Sequence, residues 1–257
     1  MIQIVLNTYP NQPSMRFEMY LRHSVTVILE TIIIMSLGVS RVVSLPKSVI
    51  VEKTSQVPVF VIYNSQNKLL VTRSSLPNKE RSTVGVFIDY SDARSFLDKF
   101  KSAKSNFGDG IRIGTVSLAD IYQLNDVEKK KKDGLSFLFI PSPSQTKNAF
   151  VLLGQDKPET QIFDGTPLFA PYDSTSGLFT SIQASGLQGV PLFFEKEELQ
   201  QVILKLEEQQ SNLKNKLKIR VVPLEGFIKN LEKADDLSSG NFILFPSQKL
   251  VPTIQGK

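Results

Sequence analysis

Apolar and polar positions alternate in the same way in two separate stretches of the chain: a short hydrophobic run, then a helix-like spacing. The first stretch is VGVFIDYSDARSFLDKF, residues 84–100, and the second is VPLFFEKEELQQVILKL, residues 190–206. They align without a gap, Phe193 falling 106 residues after Phe87. Ala93, Phe96, Leu97 and Phe100 follow the i, i+3, i+4, i+7 rule that gathers side chains on one helical face, and they coincide with Leu199, Val202, Ile203 and Leu206. The flanks repeat as well. TPLFAPY (166–172) matches VPVFVIY (57–63), STSGLFT (174–180) takes the place of SQNKLLV (65–71), and the run at 219–222 matches the one beginning at Ile111. Leu224, Phe227 and Ile228 follow Leu118, Ile121 and Tyr122 by 106 residues, and NFILF (241–245) repeats LSFLF (135–139). The pattern predicts an α+β protein built by internal duplication of a mixed-sheet unit with amphipathic helices, the copies related by a pseudo-twofold axis. The units span 45–155 and 156–257, after a separate segment 1–44.

Within this frame 57–63 and 69–72 form a hairpin across the turn-rich NSQNK, with Pro58 at an edge or a strand start. The run 84–88 is apolar on both faces, so both sides of its sheet are to be covered. Ser91 is the expected N-cap of the helix that follows, with Asp92 in its first turn. SLAD, 117–120, reads as a capping box opening a short helix. The runs 135–140 and 149–153 are expected to pair as a second hairpin. Residues 1–14 and the tail after Pro246 read as irregular and frayed.

Residues 15–40 have a different character. Arg16 and Arg22 precede the apolar run 25–39, which ends in small residues, Gly38 and Ser40. This is the layout of a secretory-type signal or signal anchor. Glu30 in the middle of the run favours the alternative, an amphipathic or buried helix.

Composition then removes much chemistry. The 257 residues contain no cysteine, no tryptophan and one histidine, His23, outside the repeats. The repeats therefore hold no thiol nucleophile, no Ser/His/Asp triad, no disulfide and no zinc site of the usual ligand types. A net charge of +5 is modest, and the only dense basic run, Lys129 to Lys132, reads as a solvated loop, so no nucleic-acid partner is expected. GDGIRIG, 108–114, precedes a strand where a phosphate loop joins strand to helix. Asp164, Gly165 and Thr166 form a D-G-T with no second copy where a pseudo-symmetric protease needs one. Glu195, Glu197 and Glu198 fit first-turn stabilisation of a helix better than a cation site. No catalytic, metal or cofactor residue emerges, and the chain is expected not to be an enzyme.

The aromatic residues remain. Phe60, Phe87, Phe137, Phe139, Phe169, Phe193 and Phe194 all fall on expected strands, most of them core. Wherever a sheet face is incompletely covered, Phe87, Phe193, Phe60 and Phe169 are the candidates for an apolar groove that holds an extended client. The pieces LP (45–46), VPVF (57–60), VGVFIDYSDARSFLDKF, VSLADIYQL (116–124) and GVPLFFEKEEL (189–199) together resemble the Tic22 family. That family includes a soluble component of the chloroplast inner-envelope translocon, cyanobacterial relatives and a plastid-encoded reading frame of red algae. The resemblance spans about residues 45–245. It implies a chaperone-like factor of protein import, without cofactor or catalysis, whose partners are preproteins or other translocon proteins. It also implies a plastid location in the envelope intermembrane space or at the inner envelope, with the thylakoid lumen as alternative. Peripheral membrane association is compatible with it, and a membrane-associated scaffold or assembly factor is the alternative function. The N-terminus lacks the transit peptide of imported plant members, which fits synthesis inside the plastid.

Overall fold

The computed structural model describes residues 3–8, 47–73, 82–103, 110–156, 163–184, 187–233 and 242–250. The signal-like segment 15–40 lies outside them. Among the described residues no helix is long and apolar enough to cross a membrane. The chain is an α+β protein with two sheets, and it divides into two compact units: Met1–Ser14 with Thr54–Ser142, and Met15–Lys53 with Pro143–Lys257.

The first unit is built on β2 (Pro58–Tyr63), a run of apolar and β-branched residues that suits a strand buried on both faces. Pro58 is its first residue, where the missing N–H breaks no ladder. Along most of its length β2 pairs antiparallel with β5 (Arg112–Ser117). The turn to β3 (Lys68–Arg73) is held by Asn64, whose side-chain oxygen accepts from the N–H groups of Gln66 (3.0 Å) and Lys68 (2.9 Å), and Asn67 adopts a positive φ of 58°. β4 (Ser82–Phe87) begins beside β3 and ends beside β2, where Phe87 faces Phe60, and it pairs in parallel with β6 (Ser136–Ile140). Phe60 and Phe87 are buried on one face of this pair, while Val59, Val61, Val84 and Val86 are buried on the other. Over β2 and β4 the expectation that both faces are covered holds; at β6 Leu138 is exposed.

After the short helix α1 (Lys47–Thr54), helix α2 (Tyr90–Ala103) crosses β2, β4 and β5. Its cap lies two residues before the expected Ser91: the Asp89 carboxylate accepts from the Ser91 N–H at 2.6 Å and from its hydroxyl at 2.5 Å. The capping box at Ser117 is formed as read. The Asp120 N–H donates to Ser117 Oγ (3.0 Å), and Asp120 Oδ2 accepts from the Ser117 N–H (2.9 Å). The helix it opens, α3 (Leu118–Glu128), runs past Tyr122. The lysine run is a loop, pinned from inside: the buried Glu128 carboxylate accepts from the Leu135 N–H (2.9 Å) and from Lys131 Nζ (2.5 Å). A Cβ on Gly134 would lie 1.9 Å from the Glu128 carbonyl oxygen, so only glycine allows this return.

Three expectations are corrected. Residues 149–153 are not a strand but lie inside α4 (Pro143–Asp156), which packs on β7 (Pro167–Asp173) and β10 (Leu217–Pro223) of the second unit. A proline at the first helical position and polar Gln145 and Asn148 on the first turns favour the helix, and Ala149 is fully buried by it. The N-terminal segment also contributes a strand, β1 (Gln3–Thr8), paired antiparallel with β3, as its Ile-Val-Leu run permits. The start of the tail is ordered as a 3₁₀ turn, Gln248–Leu250, because Glu198 of α5 (Lys196–Gln209) holds it.

In the second unit β7 (Pro167–Asp173) is central, with β10 (Leu217–Pro223) antiparallel on one side and β9 (Leu187–Phe193) on the other. Phe169 faces Phe193 as Phe60 faces Phe87, and β11 (Phe242–Phe245) pairs in parallel with β9 as β6 does with β4. The Leu224 N–H donates to the Thr166 carbonyl at 2.8 Å, as the Leu118 N–H does to Val57 at the same distance. Helices α5 (Lys196–Gln209) and α6 (Leu224–Lys233) follow β9 and β10. Where the first unit has the full strand β3, the second has an isolated bridge, Tyr172 to Phe179, and a short β8 (Ile182–Ala184) on β9. The D-G-T leads into β7 and is held by the first turn of α6: Glu225 accepts from the Thr166 N–H (2.9 Å) and hydroxyl (2.9 Å).

Candidate functional site

All four phenylalanines expected to line a client groove are core residues. Phe60, Phe87, Phe169 and Phe193 retain 1, 4, 0 and 4% of their surface. The physical reason is shared: each sits on a central strand directly under the helix that crosses its sheet, and Phe60 is further held edge-to-face by Tyr90 at 5.5 Å. As placed, they support an apolar surface and do not form it.

The surface itself is one step outward. The Phe87 ring leads to Phe96 at 5.3 Å, and Phe96 leads to Phe100 at 6.2 Å, forming an aromatic row from the β4 floor along α2. The β4–β6 register sets Leu138 opposite Gly85 and Ile140 opposite Phe87 on the same face. Phe96 is 38% exposed and Leu138 59%, with Ile140 and Phe100 half-buried between solvent and floor. A Cβ at Gly85 would meet Ile140 Cδ1 at 3.0 Å, so the glycine makes room for the Ile140 side chain beside Leu138. Periodicity alone assigned Phe96 to the covered side of α2. It is exposed all the same, on a helix that lies mainly over β2 and β5 and only in part over β4.

The corresponding face of the second unit is closed. Phe193 stacks on Phe245 at 4.7 Å, and α4 adds Ala149 and Leu152 to a cluster with Phe169, Leu199, Ile203 and Leu206. Val202 and Leu206, the counterparts of Phe96 and Phe100, are packed into it.

What holds α4 there is a polar cluster at the start of α5. The Gln145 side-chain amide donates to Glu195 (2.9 Å) and Glu197 (2.8 Å), and its oxygen accepts from the Lys196 N–H (3.1 Å) and from Asn148 (3.1 Å). Asn148 also donates to Glu197 (2.7 Å), Lys249 Nζ to Glu195 (2.7 Å), and the Gln248 N–H to Glu198 (2.8 Å). The three glutamates are therefore more than a first turn's worth of negative charge: they clamp α4 and the tail. Burial works to raise the Glu197 carboxyl, but the bonds from Gln145, its own backbone N–H and Asn148 outweigh it and hold the group below the ordinary carboxylate value. A depressed folded-state pKa contributes stability that is present above the ordinary value and lost as pH falls through the folded one. Glu197→Gln is therefore expected to destabilise the protein at pH 7 by about 0.5–1 kcal/mol after allowance for solvent screening, a deficit that shrinks in acid, below about pH 4. Thermal melts at pH 7 and in acid check this; an equal deficit at both would remove the ionic role.

The Tic22-like family model matches residues 25–255 of this chain. Protein TIC 22, chloroplastic, of Pisum sativum is 26% identical over 73% of this chain and 68% of its own length. Protein TIC 22-like, chloroplastic, of Arabidopsis thaliana is 24% identical over 79% of this chain and 62% of its own length. Among solved structures, Anabaena Tic22, described as a protein-transport protein, shares the fold with a TM-score of 0.70 and 24% identity, over 83% of this chain and 98% of that one. Tic22 from Plasmodium falciparum gives a TM-score of 0.61 at 24% identity, over 80% of this chain and 95% of that one. The match to the family model over nearly the whole length, and a fold common to solved members, establish that this chain belongs to the Tic22-like family.

Proposed function

We propose that this protein is a chaperone-like factor, without catalytic activity or cofactor, that assists protein import or translocation across the plastid envelope. In this reading it holds apolar segments of preproteins on the face of the first unit that carries Phe96 and Leu138. The observation that carries it is the contrast between the two units: the face that α4 and Phe245 close in the second is left open in the first, with large apolar side chains standing in solvent. The chloroplastic relatives of pea and Arabidopsis and the protein-transport description of the Anabaena structure support the process and the organelle. The compartment this reading requires is the envelope intermembrane space or the inner-envelope surface, with the thylakoid lumen as alternative, and its partners are preproteins or other translocon proteins. The equivalent pairings of Phe60 with Phe87 and Phe169 with Phe193, and of β4 with β6 and β9 with β11, support descent of both units from one duplicated ancestor.

The test is light scattering of a thermally aggregating client with the purified full-length chain and no nucleotide. Wild type is expected to suppress aggregation. Burying one such apolar side chain is worth about 1.5–3 kcal/mol, so Phe96→Ser combined with Leu138→Ser is expected to raise the concentration needed by about ten-fold or more. Leu178→Ser, an equally exposed apolar position of the second unit, is expected to change nothing. No suppression by wild type, or full suppression by the double variant, contradicts the reading.

A further inference from the structure

The outer edge of β6 offers a form of recognition that its side chains do not. In a parallel ladder each residue sends its N–H and C=O to one side and its neighbour sends them to the other. The Ile88 N–H donates to the Ile140 carbonyl at 3.2 Å, so Ile140, Leu138 and Ser136 aim their main chain at β4, and Phe137 and Phe139 aim theirs away. Among the described residues no strand pairs with that outer side.

The second sheet ends on the equivalent strand but treats it differently. The Phe245 carbonyl accepts from the Phe194 N–H, which turns the main chain of Phe242 and Leu244 outward. There Lys53 Nζ donates to the Phe242 carbonyl at 3.1 Å, and burial lowers the pKa of that ammonium. A lysine placed at an edge is one of the ways in which a strand edge is blunted. Among the described residues neither strand nor side chain does this for Phe137 or Phe139.

Charge gives the β6 edge a direction. The exposed run Lys129 to Lys132 precedes the strand, and at its far end Ser142 bonds to Asp92, which senses the charge of Asp89. On the open face beside the edge stand Leu138 and Phe96.

We propose that the outer edge of β6 takes up an extended polypeptide segment as an added strand. The segment fitting it carries apolar side chains at alternate positions, an acidic residue toward the lysine run and a basic residue toward Asp89 and Asp92. Five β6 residues span roughly 17 Å, which sets the length of main chain gripped. This rests on the client-holding reading and adds its second half: the apolar face selects side chains, and the edge binds any backbone through hydrogen bonds.

The experiment is amide hydrogen exchange by NMR on the full-length protein. The probe is a short acetylated peptide of alternating valine and threonine, with glutamate at one end and lysine at the other, alongside the same peptide N-methylated at alternate amides. The plain peptide is expected to slow exchange at Phe137 and Phe139 by about ten-fold or more, and the methylated one to leave both unchanged. Leu138→Lys, at an exposed position, is expected to weaken binding without loss of fold, and Phe139→Pro to abolish it by removing an outward N–H. A peptide that binds without slowing these amides, or a methylated peptide that binds as well as the plain one, overturns the proposal. So does protection of the same amides in the free protein together with a dimer in sedimentation, which assigns the edge to a second copy. Suppression of client aggregation with no protection of either amide removes the edge and keeps the client-holding reading; absence of both removes both.

Discussion

Phe169→Ala is expected to cost the second unit about 3–5 kcal/mol, the largest single effect in the molecule. Its ring is fully buried on the central strand β7, opposite Phe193 and under α5, in a cluster closed from both sides by Leu199, Ile203, Leu206 and Ala149. Truncation removes the transfer free energy of the ring and leaves a cavity that two crossing helices and a paired strand cannot collapse into. Phe96→Ala, with more than a third of its surface already in water, is expected to cost below about 1 kcal/mol and to act on client binding instead. Urea denaturation of the two variants checks the pair. Similar losses at both positions would mean that Phe96 is covered in solution.

Gln145→Leu is expected to destabilise the second unit by about 2–4 kcal/mol despite similar volume and better apolar character. The wild-type amide fills all its bonding capacity among Glu195, Glu197, the Lys196 N–H and Asn148, and both Gln145 and Glu195 are buried. Leucine leaves the buried Glu195 carboxylate with Lys249 and strips the Lys196 N–H of its acceptor. Since α4 closes the apolar face of this unit, its release has a second readout: Leu152 and Phe163 become accessible, and binding of a hydrophobic dye rises. Thermal melts with and without such a dye test this. A variant as stable as wild type, with no added dye binding, would show that apolar packing alone holds α4.

The strand-then-helix units, the turn after Tyr63 and the capping box at Ser117 were readable in the amino-acid sequence because each is written in local spacing. Ser117 and Asp120 lie three residues apart and meet within a single helical turn. Helix α4 was not readable in the same way. Its apolar Ala-Phe-Val-Leu-Leu stretch looks like a strand, and the residues that fix it as a helix docked on the second unit find their partners about 50 residues away, at Glu195 and Glu197. The functional surface was half readable. Phe87 and Phe193 were recognisable as equivalent positions, and both turned out to be floor. Which of the residues above them stay in water depends on how far α4 covers one face and α2 the other, and no spacing along the chain encodes that. The N-cap of α2 was misplaced by two residues for a simpler reason: Asp89 and Ser91 are both good caps, and Asp89 binds the N–H and the hydroxyl of Ser91 itself.

Site-directed photo-crosslinking during preprotein translocation tests the central claim most directly. A photoreactive benzoylphenylalanine replaces Phe96 or Leu138 in the first unit, and Leu178 or Leu204, similarly exposed, in the second. Adducts to translocating preproteins at positions 96 and 138, absent at 178 and 204, are the predicted result. Equal adducts at all four positions, or none at 96 and 138, would contradict the account.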